Sequence, residues 1–255
     1  CLYAINKANT HLDLFDASLT KNTQCIAVTG AVDLIDKKVY DELGGLDEDY
    51  IYGLEDVDFS LKLHKNGYKT LLASNALLFH HESSTRVKTK DYADNDKHNY
   101  NVFWSKWGNY LSKNLLLDKI HDGKFFTQKK LKITIIDENY QDNSDFLSKI
   151  SKDFNDLGFT VELISDLKNL YIGNSSDILL SLSLDYDLEN MVARDDIVRV
   201  FISQNGEDNP KGYDIVVSEE NKDYDSKYNF VIKDNFVKEF LDNLEDILMK
   251  SDGFL

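Results

Sequence analysis

Three clusters of acidic and histidine residues recur within one stretch of the chain, Val28 to Arg86. These clusters are Asp47-Glu48-Asp49, Glu55-Asp56 with Asp58, and His80-His81-Glu82. A carboxylate can act as a general base on a hydroxyl group, and a histidine beside carboxylates suits a divalent metal bound to phosphate oxygens. Each cluster also has an ordinary explanation, because an acidic pair at a helix start caps the helix far more often than it catalyses.

Local signals predict the elements that carry the first cluster. Gln24–Thr29 is rich in strand formers, and Asp36–Leu43 has an N-cap aspartate and apolar residues at helical spacing, with Gly44 as a stop. Gly44-Gly45 permits a turn pressed against a ligand or another strand. Asp47, Glu48 and Asp49 then follow this glycine turn.

The segment Glu55–Lys65 gives conflicting signals. Its apolar residues alternate as in a strand, but acidic residues open it, lysines close it and Asn66-Gly67 is typical of a helix C-terminus. We predict a helix that is buried on more than one side. A carboxylate at its start is held by free backbone N–H groups and can be aimed at a cleft. Leu71-Leu72 and Ala76–Phe79 are predicted as short strands, and Asp91–Asn114 as a helix.

The composition excludes several classes of protein. A net charge of -16 over 255 residues argues against a nucleic-acid partner, because phosphate binding needs a basic face. The apolar runs fall far short of the roughly 20 residues of a membrane helix. With only Cys1 and Cys25 and no secretory signal, we expect a cytoplasmic location. The chain begins with Cys rather than Met, from which we expect a fragment of a longer protein.

Strands and helices alternate after residue 124. The predicted strands are Leu131–Asp137, Phe159–Ser165, Asp177–Leu184, Ile197–Ser203 and Tyr213–Glu219, and the predicted helices are Asn143–Leu157 and Asp234–Lys250. This alternation predicts a Rossmann-like α/β domain with a mainly parallel sheet. The chain is thus expected to form two α/β domains, residues 1–124 and residues 125–255.

The order of motifs in the first domain closely resembles the C-terminal half of the catalytic domain of family 2 glycosyltransferases, which have the GT-A fold. The matching motifs, within residues 24–110, are Thr29-Gly30-Ala31, Gly44-Gly45-Leu46-Asp47-Glu48, Glu55-Asp56-Val57-Asp58, Asn66-Gly67-Tyr68, His80-His81-Glu82-Ser83 and Lys106-Trp107-Gly108. Leu46 stands where the family usually has Phe. Each motif is weak alone, but their shared order predicts a partial GT-A domain.

The resemblance implies a role for each matching position. Asp56 would be the base that deprotonates the acceptor hydroxyl, supported by Glu55, with inversion at the sugar carbon. His80 would complete the coordination of Mn2+ or Mg2+ on the donor diphosphate, with His81 as the fallback. The residues that would line the donor-sugar and acceptor region are Gly30, Gly45, Asp47 and Glu48.

The implied reaction is transfer of a sugar from a nucleotide-sugar donor, most often a UDP-sugar, to a saccharide, glycoconjugate or other hydroxyl acceptor in a bacterial-type enzyme. The family's nucleotide-binding half, with its Asp-x-Asp motif, is absent from this sequence, so we expect the fragment to bind a nucleotide sugar poorly. Asp185 and Asp187 form such a pair but come after Glu55-Asp56 rather than before it. We predict a turn there.

The second domain has no glycine-rich phosphate loop. Its segment Gln204–Glu207 follows a predicted strand, the position where open α/β sheets bind ligands, although an ordinary loop also fits. The run Ile197–Glu219 is faintly similar to the N-terminal Rossmann-like half of GT-B glycosyltransferases. A docking or oligomerisation domain is an equal alternative.

Two other functions fit the same residues. One is a non-catalytic module that binds glycans or scaffolds a partner enzyme. The other is a metal-dependent hydrolase that uses His80, His81 and Asp56, which predicts turnover without any nucleotide sugar.

Overall fold

The computed structural model describes residues 22–28, 30, 32–73, 90–121, 130–137, 142–165, 176–182, 197–204 and 210–251. The helices are α1 (Lys37–Glu42), α2 (Glu55–Lys65), α3 (Lys90–Ile120), α4 (Ser144–Asp156) and α5 (Phe236–Lys250). The strands are β1 (Thr23–Cys25), β2 (Thr70–Leu72), β3 (Lys132–Ile136), β4 (Thr160–Ile164), β5 (Ile178–Ser181), β6 (Val198–Ile202), β7 (Ile215–Ser218) and β8 (Tyr228–Val231).

The chain divides into two compact units, Cys1–Gly108 and Asn109–Leu255. The division falls inside α3, so this helix contributes residues to both units. The expected domains, residues 1–124 and residues 125–255, remain a prediction. None of the described helices is both long and apolar enough to cross a membrane.

The first unit contains a two-stranded antiparallel sheet and the helix that carries the acidic pair. Strands β1 and β2 pair with Thr23 opposite Leu72. In α2 four consecutive residues, Asp58–Leu61, are buried. Because successive helical residues point about 100° apart, four in a row cover the whole circumference. The predicted helix buried on more than one side is therefore confirmed.

The second unit is built on a six-stranded parallel sheet with the order β4-β3-β5-β6-β7-β8. Every residue of β5 and β7 is buried. Such continuous apolar strands are typical of a parallel sheet covered on both faces. Helices α4 and α5 cover one face through the buried side chains Leu147, Ile150, Phe154, Val237, Phe240 and Leu244. This confirms the predicted α/β class, whereas the partial GT-A domain remains a proposal.

The sixth strand, β8, was not predicted from the sequence. It lies at the edge of the sheet, and in Tyr228–Val231 only Phe230 is buried. An edge strand with one buried residue has neither a continuous apolar run nor a regular alternation, so it lacks the signal of the central strands.

Candidate functional site

Asp56 lies in the first turn of α2, where backbone N–H groups hold its carboxylate. The N–H of Gly30 donates to Oδ2 at 2.7 Å, and the N–H of Val57 donates to Oδ1 at 2.8 Å. A Cβ at position 30 would lie 3.0 Å from the Cβ of Asp56, so this close approach favours glycine. The structure thus brings together two residues that the sequence analysis selected, although 26 positions separate them.

The loop before Glu55 and Asp56 has an unusual backbone. Tyr52, Gly53 and Leu54 have φ values of 57°, 150° and 71°. A left-handed conformation costs a residue with a Cβ about 1–2 kcal/mol, so Tyr52 and Leu54 hold strain that other contacts must offset. Strained backbone of this kind clusters at functional sites.

Asn99 of α3 makes those contacts. Its side chain is 2% exposed; Oδ1 accepts from the N–H of Ile51 at 2.8 Å, and Nδ2 donates to the carbonyls of Ile51 at 2.8 Å and Gly53 at 3.1 Å. We call this set of three hydrogen bonds the Asn99 clamp. The sequence analysis missed Asn99. A signal was present, because Asn99 lies four and eight residues before the buried Phe103 and Trp107, so it interrupts an apolar stripe with a polar group.

Asp58 forms a buried polar cluster beneath the acidic pair. Its Oδ1 accepts from the indole N–H of Trp107 at 2.7 Å and from the hydroxyl of Tyr50 at 3.1 Å. The ammonium of Lys62 lies 3.1 Å from Oδ2, which supplies the counter-charge that a fully buried carboxylate needs. Burial, and then the Asp58 carboxylate, raise the pKa of Tyr50 far above its usual range. Asp58 therefore connects α2 to α3 and is positioned for structure rather than for reaction.

Asp47 belongs to an ion-pair network. Its carboxylate contacts the ammonium of Lys106 and lies 4.0 Å from that of Lys62, and Oδ1 accepts from the N–H of Asp49 at 3.0 Å. The hydrogen bond from Lys106 is the main cause that lowers the pKa of Asp47. Glu48, the other acidic residue selected here, is exposed. That Asp47 and Glu48 contact the substrate remains a prediction.

Gly45 is buried with a φ of 67°, and a Cβ there would lie 2.8 Å from ring atoms of Tyr40. The turn is therefore pressed against the Tyr40 ring, where we expected a ligand or another strand. The carbonyl of Gly45 also accepts from the ammonium of Lys62 at 3.2 Å. The predicted helix before this turn is confirmed as α1, with the side chain of Asp36 accepting from the N–H of Lys38.

Two further carboxylates lie near Asp56. Glu55 is partly buried, and its Oε2 is buried without a hydrogen-bond partner among the described residues. Partial burial, and then the charge of Asp56, raise the pKa of Asp33. The sequence analysis did not select Asp33. The start of α2 is thus an acidic environment in which Asp56 is the carboxylate with a fixed orientation.

Several selected residues lie outside the described part of the chain. These are His80, His81, Glu82, Asp185, Asp187, the predicted strand Ala76–Phe79 and the segment from Asn205 to Glu207. Among the described residues, no group of three or more His, Cys, Asp or Glu side chains is arranged to hold a metal ion. The described residues alone therefore do not make up a Mn2+ or Mg2+ site, and the role of His80 remains a prediction.

Among the described residues, the N–H of Gly30 orients the carboxylate of Asp56. The loop that precedes Asp56 is held by the Asn99 clamp. Such a carboxylate can accept a proton from a hydroxyl that enters beside it. No protein-family model, no curated protein and no solved structure matches this chain.

Proposed function

We propose that this chain is the acceptor-side part of an inverting glycosyltransferase similar to family 2. It transfers a sugar from a nucleotide-sugar donor to a hydroxyl of a saccharide or glycoconjugate. A UDP-sugar is the first donor to test. The observation that carries the proposal is the fixed carboxylate of Asp56, 2.7 Å from the Gly30 N–H, in the first turn of a helix that follows a strained loop. The order of motifs over residues 24–110 supplies the reaction class.

In this reaction Asp56 takes the proton from the acceptor hydroxyl while the acceptor oxygen attacks the anomeric carbon. The bond from that carbon to the diphosphate oxygen breaks, and the nucleotide diphosphate leaves with the electron pair, so one displacement inverts the configuration. Each carboxylate oxygen has two lone-pair sites, so the bonds from Gly30 and Val57 leave acceptor capacity on Asp56. Glu55 supports the base from the adjacent position.

The clamped loop holds the carboxylate of Asp56 in place before the substrate binds. A base acts only when it lies within hydrogen-bond reach of the proton it removes, and small displacements lower the rate steeply. The Asn99 clamp fixes the backbone two residues before Glu55 and so limits the movement of Asp56. His80 is proposed as a ligand of Mn2+ or Mg2+ on the ground of the resemblance alone, and no step above depends on it.

The proposal includes a cytoplasmic location in a bacterial-type cell, in keeping with two cysteines and an acidic net charge of -16. The same charge disfavours a nucleic-acid partner.

The test is release of nucleotide diphosphate from a panel of nucleotide sugars by the full-length natural protein that contains this chain. Each donor is assayed with Mn2+, with and without a mixture of saccharide acceptors, and again with EDTA. Release that needs both donor and acceptor supports the transferase, and loss of release in EDTA supports the metal. Hydrolysis of a substrate that carries no nucleotide sugar would favour the hydrolase instead.

One observation favours the non-catalytic alternative. Both carboxylate oxygens of Asp56 already accept backbone hydrogen bonds, as they do in a purely structural helix cap. A glycan-binding or scaffolding module predicts saturable glycan binding with no release from any donor, and it predicts that Asp56→Asn leaves this binding unchanged.

A further inference from the structure

A cavity of about 400 Å³ lies at the carboxyl edge of the six-stranded sheet. Ile202, Val217 and Ile232, at the ends of β6, β7 and β8, give it an apolar floor. Parallel α/β sheets bind ligands outside the carboxyl ends of their strands, and the volume falls within the usual range for small-molecule sites. Gln204, which the sequence analysis singled out, borders the same cavity.

The first turns of two helices form an aromatic wall. Phe146 of α4 packs edge to face against Phe236 of α5, with ring centroids 5.7 Å apart. Phe146, Lys149, Ile150 and Asp153 follow the spacing of one helix face, so α4 presents a mixed apolar and charged surface to the cavity. A ligand with both an apolar face and polar edges fits this wall.

The charged groups of the lining disfavour an anion. Among the described lining residues there are four carboxylates, from Asp153, Glu219, Glu220 and Asp234, and two ammonium groups, from Lys149 and Lys233. These residues together carry a formal charge of -2. A phosphate would meet more carboxylates than cations here.

Backbone N–H groups beside the cavity are also occupied by one of the chain's own carboxylates. The carboxylate of Glu239 accepts from the backbone N–H groups of Lys233 at 3.1 Å, Asp234 at 3.0 Å and Asn235 at 2.8 Å. These hydrogen bonds lower the pKa of Glu239. These N–H groups belong to the three residues just before α5, and two of these residues line the cavity, so the groups are not available to a phosphate there.

We propose that this cavity binds an uncharged ring rich in hydroxyl groups, either a free saccharide or the ribose of a nucleoside. The apolar face of the ring packs on Phe146 and Phe236, while its hydroxyls donate to the carboxylates of Asp153 and Glu219. Carboxylates accept such bonds at several lone-pair sites, and charge-assisted bonds are the stronger kind. The inference concerns the second unit alone and does not depend on the transfer reaction.

The test is calorimetric titration of the full chain with three probes: neutral mono- and oligosaccharides, uridine, and UDP. Saturable binding of a saccharide identifies a glycan site in the cavity if changes to the cavity lining weaken it, because binding of an acceptor beside Asp56 would not respond to them. Binding of uridine with no gain for UDP identifies a nucleoside site, and either result supports the proposal. UDP binding much more tightly than uridine, or no binding by any probe, would overturn it.

Two variants locate the binding in the cavity. Glu219→Gln removes one exposed carboxylate charge, and we expect roughly fivefold weaker binding. Phe146→Leu keeps an apolar side chain but removes the ring face, and should also weaken binding. The matched control is Glu162→Gln on β4, the opposite edge strand, which should leave binding unchanged. Equal binding by wild type and both cavity variants would refute the assignment.

Discussion

Replacing Asn99 with alanine removes the clamp on the loop that precedes Asp56. The clamp comprises three hydrogen bonds to backbone groups of Ile51 and Gly53. A buried polar group left without a partner costs about 1–3 kcal/mol, although the loop can relax toward water and recover part of this. The strain at Tyr52 and Leu54, about 1–2 kcal/mol each, favours that relaxation. We therefore expect the free energy of opening this loop to fall by roughly 2–4 kcal/mol.

Hydrogen exchange at the Ile51 amide reports on the clamp, because this N–H donates to Asn99 in the native state and loses that acceptor in the variant. A fall of about 2–4 kcal/mol corresponds to exchange faster by roughly 30-fold to 1000-fold, at about 1.4 kcal/mol per factor of ten. The matched control is Asn101→Ala, the same change at an exposed position of α3, where we expect less than about 0.5 kcal/mol. Equal Ile51 exchange in the two variants would refute the clamp.

The glycine turn and the ion-pair network give two further predictions. Gly44→Ala costs about 1–2 kcal/mol for its φ of 76° alone, whereas Gly45→Ala also meets the Tyr40 ring at 2.8 Å, so urea unfolding should show a larger loss for Gly45→Ala. Equal losses would contradict the close contact. Because Lys106 lowers the pKa of Asp47, this pair stabilises the fold above the ordinary aspartate pKa of about 3.9, and its contribution is lost as the pH falls through the lowered value. Lys106→Met should raise the pKa of Asp47 in a carboxyl NMR titration and flatten the acid dependence of stability, and an unchanged pKa would refute the pairing.

The elements near the acidic pair could be predicted because their signals are local. The Asp36 cap, the glycine stop after α1 and the bounds Glu55–Lys65 each depend on residues within one or two turns. The alternation of apolar residues in α2 resembles the pattern of a strand, but the segment is a helix. It reflects a helix that is packed on all sides, which the buried run Asp58–Leu61 makes visible.

The contacts that fix the site could not be predicted, because they join distant residues. The Asn99 clamp spans up to 48 positions, and the bond from Trp107 to Asp58 spans 49. The sequence gives no reason to choose Asp58 rather than Asp56 as the buried carboxylate, since both belong to one short acidic motif. The packing of α3 against α2 shows that Asp58 is the buried structural carboxylate, whereas Asp56 is the one oriented at the helix start.

Catalytic rate in Asp56→Asn, measured against Asp36→Asn, tests the proposed role of Asp56 most directly. Asparagine at position 56 keeps the side-chain shape and one acceptor oxygen for Gly30 but cannot take a proton. Asparagine at position 36 caps α1 as well as aspartate does, so this control should keep the wild-type rate. In the full-length protein, with a donor and acceptor that support turnover, we predict that Asp56→Asn lowers kcat by roughly a hundredfold or more. Loss of one of the two backbone hydrogen bonds should lower the stability by only about 1 kcal/mol, so the variant should still fold. A kcat equal to that of Asp36→Asn would contradict the account and assign the base to another residue, with Glu55 the next to test.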